Sequence, residues 1–308
     1  MRGETKMMID RPENLKVDII ICTHNRLEDL DICIKSLVDQ VTTEMGHIMI
    51  VDSCSDQHIA DQIVKMVETY SNVSYHRANE PGLSLARNLG IAKGASDWVA
   101  FLDDDIIADP HYFKNLVCRI DMIPNDFGII GGQVVGQKSS GDPLPDLGPR
   151  WKGLLSLIEE QNDLKDPSFP AVGANVIYRR ANLPADAFSI ELGRKGTFSL
   201  VGGEEVRLEM GLRNRGVRSY YDSRILVHHR VQPERLDPEW ALRRAYWGGY
   251  SHILSIDKSI QKIPFKFSLS LSILKLLLLL VMSVFDSHLY EWRIRRNYVW
   301  GMVRGHLN

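Results

Sequence analysis

The sequence predicts an α/β layer fold with a mixed, mostly parallel central sheet flanked by helices, followed by a C-terminal helical appendage. Two observations carry this: short apolar, β-branched runs alternate with segments of helical periodicity, and polar clusters stand where the runs end. Residues 17–22 form the first such run, followed by Leu27, Leu30, Ile34, Leu37 and Val38 at helical spacing. The pattern recurs as a strand over 47–51 and a helix over 59–70, then a strand over 73–76 and a helix over 83–93. Residues 98–102 are apolar at every position, which predicts a central strand covered on both faces. Further strands are expected at 129–135, 176–179 and 224–227, with a loop over 141–149, rich in Gly and Pro, as a flexible lid. The expected organisation is a flexible tail over 1–16, a main domain over 17–237 and a helical segment over 238–308.

Composition narrows the class of partner. With 37 Lys and Arg against 39 Asp and Glu, the net charge of −2 offers no bulk attraction to nucleic acid or anionic lipid, so a basic surface has to be local. The cysteines, Cys22, Cys33, Cys54 and Cys118, lack metal-ligand spacing, and at least two fall within apolar elements, as reduced thiols do. The first sixteen residues contain no apolar stretch of the kind that directs export. A cytoplasmic location is the expectation.

Three carboxylates, Asp103, Asp104 and Asp105, follow the buried run 98–102 directly. Crowding like charges raises their proton affinity unless a cation neutralises them, and a hard divalent metal is the simplest remedy. Strand alternation, if it continues, sends Asp103 and Asp105 to one side and Asp104 to the other. In open α/β sheets such groups gather at the carboxyl ends of strands, and the clusters 23–26 and 52–56 obey the same rule.

Taken in order, TxNR at Thr23, Asn25 and Arg26, VDSCSD at Asp52, GLSLARNLG with Arg87 and Asn88, FLDDD, GAN at 173–175, GGEE at 202–205 and VHH at 227–229 resemble the motifs of glycosyltransferase family 2. The resemblance spans roughly residues 17–250 and rests on the ordered set, because each motif alone is weak. It implies an inverting enzyme of GT-A fold, with a Rossmann-like nucleotide-binding half, a nucleotide-diphosphate-sugar donor (a UDP-sugar is the expected one) and a divalent metal, Mn2+ or Mg2+. Position by position, Asp105 matches the metal-binding aspartate of the D-x-D motif, Asp104 the residue nearest the donor ribose and Asp103 the motif's first carboxylate. Thr23, Arg26 and Asp52 match nucleotide-contacting positions, and Arg87 a basic residue near the nucleotide.

GGEE followed by an apolar periodic segment reads as a loop opening a helix, with Glu204 and Glu205 in its first turn. The positive end of the helix dipole favours the ionised carboxylate that a general base requires. The family usually has Glu followed by Asp here, with the aspartate as base; Glu205 is one methylene longer, so Glu205 and Glu204 are both candidates. His228 matches a family histidine that completes the metal shell, with His229 as its alternative, because alternation lets only one face the site.

Residues 242–250, rich in Arg and aromatic side chains, either close over the donor or pack on the main domain. They lack the Q-x-x-R-W signature of the family's processive synthases, so one transfer per encounter is expected. Residues 263–285 suit an interfacial membrane helix, a span, or a buried or homodimer-forming helix. Acceptors compatible with this reading are a glycan, a lipid-linked glycan or a small molecule, and nucleic acid is not expected. Two rival readings are a catalytically impaired sugar-nucleotide-binding or membrane-scaffold protein, and a nucleotidyltransferase. The latter would need a Gly-rich triphosphate loop after the first strand, and CTHNRLED has no glycine there.

Overall fold

The computed structural model describes residues 16–194, 200–255, 273–274 and 289–307. Its first half alternates as expected: β1 (Val17–Thr23), α1 (Leu27–Leu37), β2 (Gly46–Asp52), α2 (Gln57–Val67), β3 (Val73–Arg77), α3 (Leu83–Lys93) and β4 (Trp98–Asp103). Then follow β5 (Ile106–Ala108), α4 (Tyr112–Met122), β6 (Phe127–Lys138), α5 (Pro149–Leu154), β7 (Leu164–Lys165), β8 (Asn175–Arg179), α6 (Glu204–Asn214), β9 (Arg218–Val231), α7 (Pro238–Ser255) and α8 (Leu289–Leu307). The strands form one mixed sheet in the order β3-β2-β1-β4-β8-β6-β9-β5, with β7 added on β9. β3, β2, β1 and β4 run parallel, whereas β8 lies antiparallel to both β4 and β6.

The central strands are apolar throughout because both faces are covered. Val17, Ile19 and Ile21 of β1 pack with Leu30, Ile34 and Leu37 of α1 and Ile63 of α2. Ile20 points the other way, onto Met49, Val51 and Ala86, in the layer that also holds Leu208 and Leu212 of α6. β4 divides likewise, with Trp98, Ala100 and Leu102 on one face and Val99 and Phe101 on the other. Each such side chain contributes about 1.5–3 kcal/mol on burial, so a register slip, which would exchange the faces, is strongly opposed.

That register aligns the functional strand ends. Thr23 lies beside Asp52, and Cys22 beside Asp103. β9 is far longer than the 224–227 strand expected, because its polar residues Arg218, Asp222 and Arg230 interrupt the apolar pattern that marks a strand. Short elements such as β5 and β7 leave no periodic signal, and the expected run of alternation through the aspartates stops at Asp103, where the chain turns before β5 begins at Ile106.

At the C-terminus, Ala241, Leu242 and Ala245 of α7 and Ile294 of α8 make a small core of their own, against which Trp151 and Leu154 pack. The two helices approach to backbone contact: a Cβ on Gly249 would lie 1.7 Å from the Tyr298 carbonyl oxygen, and one on Gly301 1.8 Å from that of Tyr246. Among the described residues no helix is long and apolar enough to cross a membrane. The apolar segment 263–285 lies outside the described residues except for 273–274, as does the tail except for Lys16.

Candidate active site

A polar cleft of about 930 Å³ opens at the carboxyl ends of β1, β2 and β4, lined by the turns after these strands, the start of α6, the end of β9 and the first turns of α7. The turn after β1 is locked to the turn after β2. Asn25 sits at φ 55, a left-handed conformation that Asn tolerates, and its side-chain oxygen accepts the Asp56 amide while its own amide donates to Ser55 Oγ. Asp52 belongs to this scaffold and does not line the cleft. Its carboxylate is fully buried and accepts from the Ser55 amide, the Tyr75 hydroxyl and Arg77, which leaves Ser53 facing the cleft in its place. Where a nucleotide contact is expected of Asp52, its carboxylate is turned to the sheet edge and finds its partners in the loop after β2 and on β3.

The three aspartates diverge. Asp104 is buried and accepts from Thr23 Oγ1 at 2.8 Å and from Arg26 Nη1 at 2.7 Å. Burial pushes its carboxyl up to about 7 against the pull of Arg26, and Asp105 adds to the rise. Asp105 is also buried, but its Oδ2 lies 3.1 Å from Arg26 Nη2, 3.2 Å from Arg235 Nη2 and 3.4 Å from His229 Nε2. Burial alone would raise this carboxyl; His229, Arg235 and Arg26 outweigh it and hold the group well below the ordinary range. Asp103 is the open one, with its side chain 39% exposed.

His229, and not His228, faces Asp105. β5 pairs with β9 so that Ile106 stands opposite His229, the Arg230 amide donates to the Asp105 carbonyl, and His229 Nδ1 meets the Leu155 carbonyl oxygen at 3.0 Å. His228, the expected ligand, is thereby turned to the other face of the strand, away from Asp105. Its neighbour takes its place by the alternation that made the two mutually exclusive.

Glu204 and Glu205 open α6 after Gly203, whose φ of 88° is the left-handed conformation that glycine adopts without strain. Both glutamates meet Arg87. Its Nη1 lies 2.8 Å from Glu204 Oε1 and 3.9 Å from Glu205 Oε2, and its Nη2 lies 3.9 Å from Asp103 Oδ1. Arg87 is buried, rests between the rings of Phe101 and Phe188, and comes so close to Gly173 that a Cβ there would lie 2.3 Å from Nη2. This accounts for the glycine of GAN. Asn88 beside it clamps the Phe188 backbone through both its amide nitrogen and oxygen.

The two glutamates therefore differ in kind. Glu204 is buried and paired, whereas Glu205 is 22% exposed toward the cleft. Burial first, and Glu205 second, push the Glu204 carboxyl up to about 7 despite Arg87. A raised acid binds its proton more tightly folded than unfolded, so its stabilising contribution is complete below about 4.5 and is lost as the pH climbs through about 7. Glu204→Gln cannot ionise and should gain about 3 kcal/mol on the wild type across that interval. Urea midpoints measured at both ends would check it; parallel profiles would show that Glu204 does not titrate in this way.

Several cleft residues carried no expectation from the sequence, Asp29, Arg194, Arg230 and Arg235, whereas Arg244 belongs to the 242–250 segment expected to close over the donor or pack on the main domain. Asp29 accepts from Arg26, Arg230 and Gln232, joining the start of α1 to the end of β9. The signal available was the basic run that follows VHH, although helical and strand periodicity ignore it.

An α/β sheet whose parallel strands end in clustered carboxylates, faced by a glutamate pair at a helix start, is the layout of a glycosyltransferase of GT-A fold. The Glycosyl transferase family 2 model matches residues 18–184, and the chain belongs to that family. The glucosyl-dolichyl phosphate glucuronosyltransferase of Haloferax volcanii is 25% identical over 248 residues, covering 77% of this chain and 76% of that enzyme. The chondroitin synthase of Escherichia coli is 32% identical over 135 residues, which are 42% of this chain but only 19% of the synthase. Among solved structures, the mannosyltransferase PcManGT from Pyrobaculum calidifontis, in complex with GDP-Man and Mn2+, aligns with a TM-score of 0.63 at 14% identity over 96% of this chain and 87% of that one. S. aureus TarS 1-349 aligns with a TM-score of 0.53 at 17% identity, covering 94% and 90%. The chain is a glycosyltransferase, and a nucleotidyltransferase reading falls away with that assignment.

Proposed function

We propose that the chain is a metal-dependent, inverting, non-processive glycosyltransferase that moves a sugar from a nucleotide diphosphate to an acceptor hydroxyl. The observation that carries the reading is the meeting of the two acidic motifs at one buried arginine: Glu204, Glu205 and Asp103, from chain segments a hundred residues apart, all lie within 4 Å of Arg87. Glu205 takes the acceptor proton, the acceptor oxygen attacks the anomeric carbon, and the bond to the diphosphate breaks on the opposite face, which inverts the centre. Arg87 holds the start of α6 against β4 so that Glu205 faces the place where that carbon must lie. Thr23 and Arg26 hold Asp104 toward the donor ribose, and Ser53 lines the nucleotide end of the cleft.

The residues fit a divalent cation. Asp105 Oδ1 is buried without a hydrogen-bond partner, and Asp103, two residues earlier, presents an open carboxylate, while His229 would serve as a nitrogen donor only once Arg235, whose Nη1 lies 3.0 Å from its Nε2, turned away. Among the described residues no three such side chains converge as a ready metal cage, so in this reading the cation takes its remaining ligands from the donor diphosphate. When bound, Mn2+ or Mg2+ would offset charge on the leaving diphosphate.

A UDP-sugar is the proposed donor. The Haloferax relative's name describes transfer to a lipid-phosphate-linked sugar, which supports a lipid-linked glycan among the acceptors; the cytoplasmic face of a membrane is the working place proposed with it. Calorimetric titration of UDP-sugars and GDP-sugars, in Mn2+ and then in EDTA, tests the reading. Tight binding of one donor in Mn2+ only is expected, and equal binding in EDTA would remove the metal from the proposal.

A further inference from the structure

The cleft contains more positive charge than its carboxylates use. Arg26 is paired with Asp104 and Asp105, Arg87 with Glu204, Arg230 with Asp29 and Arg235 with Asp105. Arg194 and Arg244 also line the cleft, yet no carboxylate among the described residues lies within 4 Å of either. Arg244 Nε is buried without a partner, and the only acceptor its guanidinium reaches among the described residues is the Leu200 carbonyl, 3.3 Å from Nη1. Burial first, and the like charge of the exposed Arg194 second, lower its proton affinity to about 10.

Their position is fixed by the fold. The Gly202 amide donates to Ser251 Oγ, tying α7 to the loop that opens α6, and a Cβ on Gly202 would lie 3.8 Å from both Arg244 Nη2 and Glu204 Oε2. Arg194 is pinned through its carbonyl, which accepts the Leu83 amide at the start of α3, while Ser84 Oγ donates to the nearby Leu192 carbonyl. Arg244 thus stands beside Glu204 and Glu205, while Arg194 is anchored at the start of α3, where the Gly82 amide donates to Ser53 Oγ.

We propose that Arg194 and Arg244 form an oxyanion subsite beside Glu205, which takes a phosphate or carboxylate group carried by one of the two sugar substrates. Two guanidinium forks without a carboxylate partner suit a ligand with two or three equivalent oxygens, and an anion there offsets the charge of the buried Arg244. The subsite lies next to the base, where the acceptor hydroxyl and the transferred sugar must meet. Either can bring the charge: a sugar phosphate as acceptor, or a uronic acid on the donor. The inference rests on the glycosyltransferase reading of the cleft.

Calorimetry in Mn2+ on the wild type, Arg194→Gln and Arg244→Gln separates these sources with two probe pairs. UDP-glucose against UDP-glucuronate reads a charge on the donor sugar, and glucose against glucose 1-phosphate, with UDP present, reads one on the acceptor. The charged member of one pair is expected to bind the wild type about tenfold more tightly than its neutral counterpart, and the preference to shrink to about twofold or less in both variants while UDP affinity holds. UDP binding without a charge preference in either pair, or a preference that survives both substitutions, overturns the subsite alone. Absence of UDP binding by the wild type overturns the donor assignment and the subsite together. Arg194 lies on a loop outside the three hydrophobic cores, so its variant decides the matter even if Arg244→Gln fails to fold.

Discussion

Glu205→Gln is expected to lower kcat for sugar transfer by roughly a thousandfold while leaving donor affinity within about twofold of the wild type. Glutamine keeps the shape of the side chain and loses only the capacity to take a proton. That charge is lightly held: Glu205 is partly open to the cleft, its nearest cation is 3.9 Å away, its Oε2 has no hydrogen-bond partner, and its loss relieves Glu204 of a neighbouring like charge. Glu204 is the contrasting case, because its carboxylate forms a 2.8 Å ion pair with buried Arg87 and its loss disturbs the scaffold as well as the chemistry. Steady-state transfer rates set beside calorimetric donor binding make the comparison. A Glu205→Gln enzyme within about fivefold of wild-type kcat would move the base to Glu204.

Asp105→Asn is expected to erase the difference between donor binding in Mn2+ and in EDTA, with donor affinity in Mn2+ falling by roughly a hundredfold. Asparagine retains one oxygen near Arg26 and Arg235 but removes the anionic Oδ1 that has no partner of its own. The substitution also takes charge away from a group of cations packed around a buried carboxylate, so a lower melting temperature is expected with or without metal. The two effects separate cleanly: loss of packing lowers stability in EDTA too, whereas loss of a ligand is seen only as the vanished Mn2+ dependence. Retention of that dependence would remove Asp105 from the proposed ligand set.

The strand ends were legible because their cause is local. An apolar run that stops at a polar cluster shows itself in one dimension, and β1, β2 and β4 bring Thr23, Asp52 and Asp103 to one edge as that pattern implies. Which way each side chain then turns was not legible. Alternation through the aspartates assumes that the strand continues, and β4 stops at Asp103, so Asp104 and Asp105 are aimed by Thr23, Arg26, His229 and Arg235 instead. Asp52 shows the same limit, since a carboxylate at a strand end contacts a ligand or a neighbouring strand according to what lies on the next strand, here Tyr75 and Arg77.

By itself the sequence determined the layered α/β architecture, the family resemblance and the two acidic segments from which the site is built, because periodicity and short motifs depend on neighbours within a few positions. Only the tertiary structure decided that His229 and not His228 meets Asp105, that Glu204 is held by Arg87 while Glu205 is left open, and that Arg194 and Arg244 share the cleft without carboxylate partners among the described residues. Each of these depends on a contact between distant segments. The energy of a charge is set by its distance from other charges and from water, and chain order does not encode that distance.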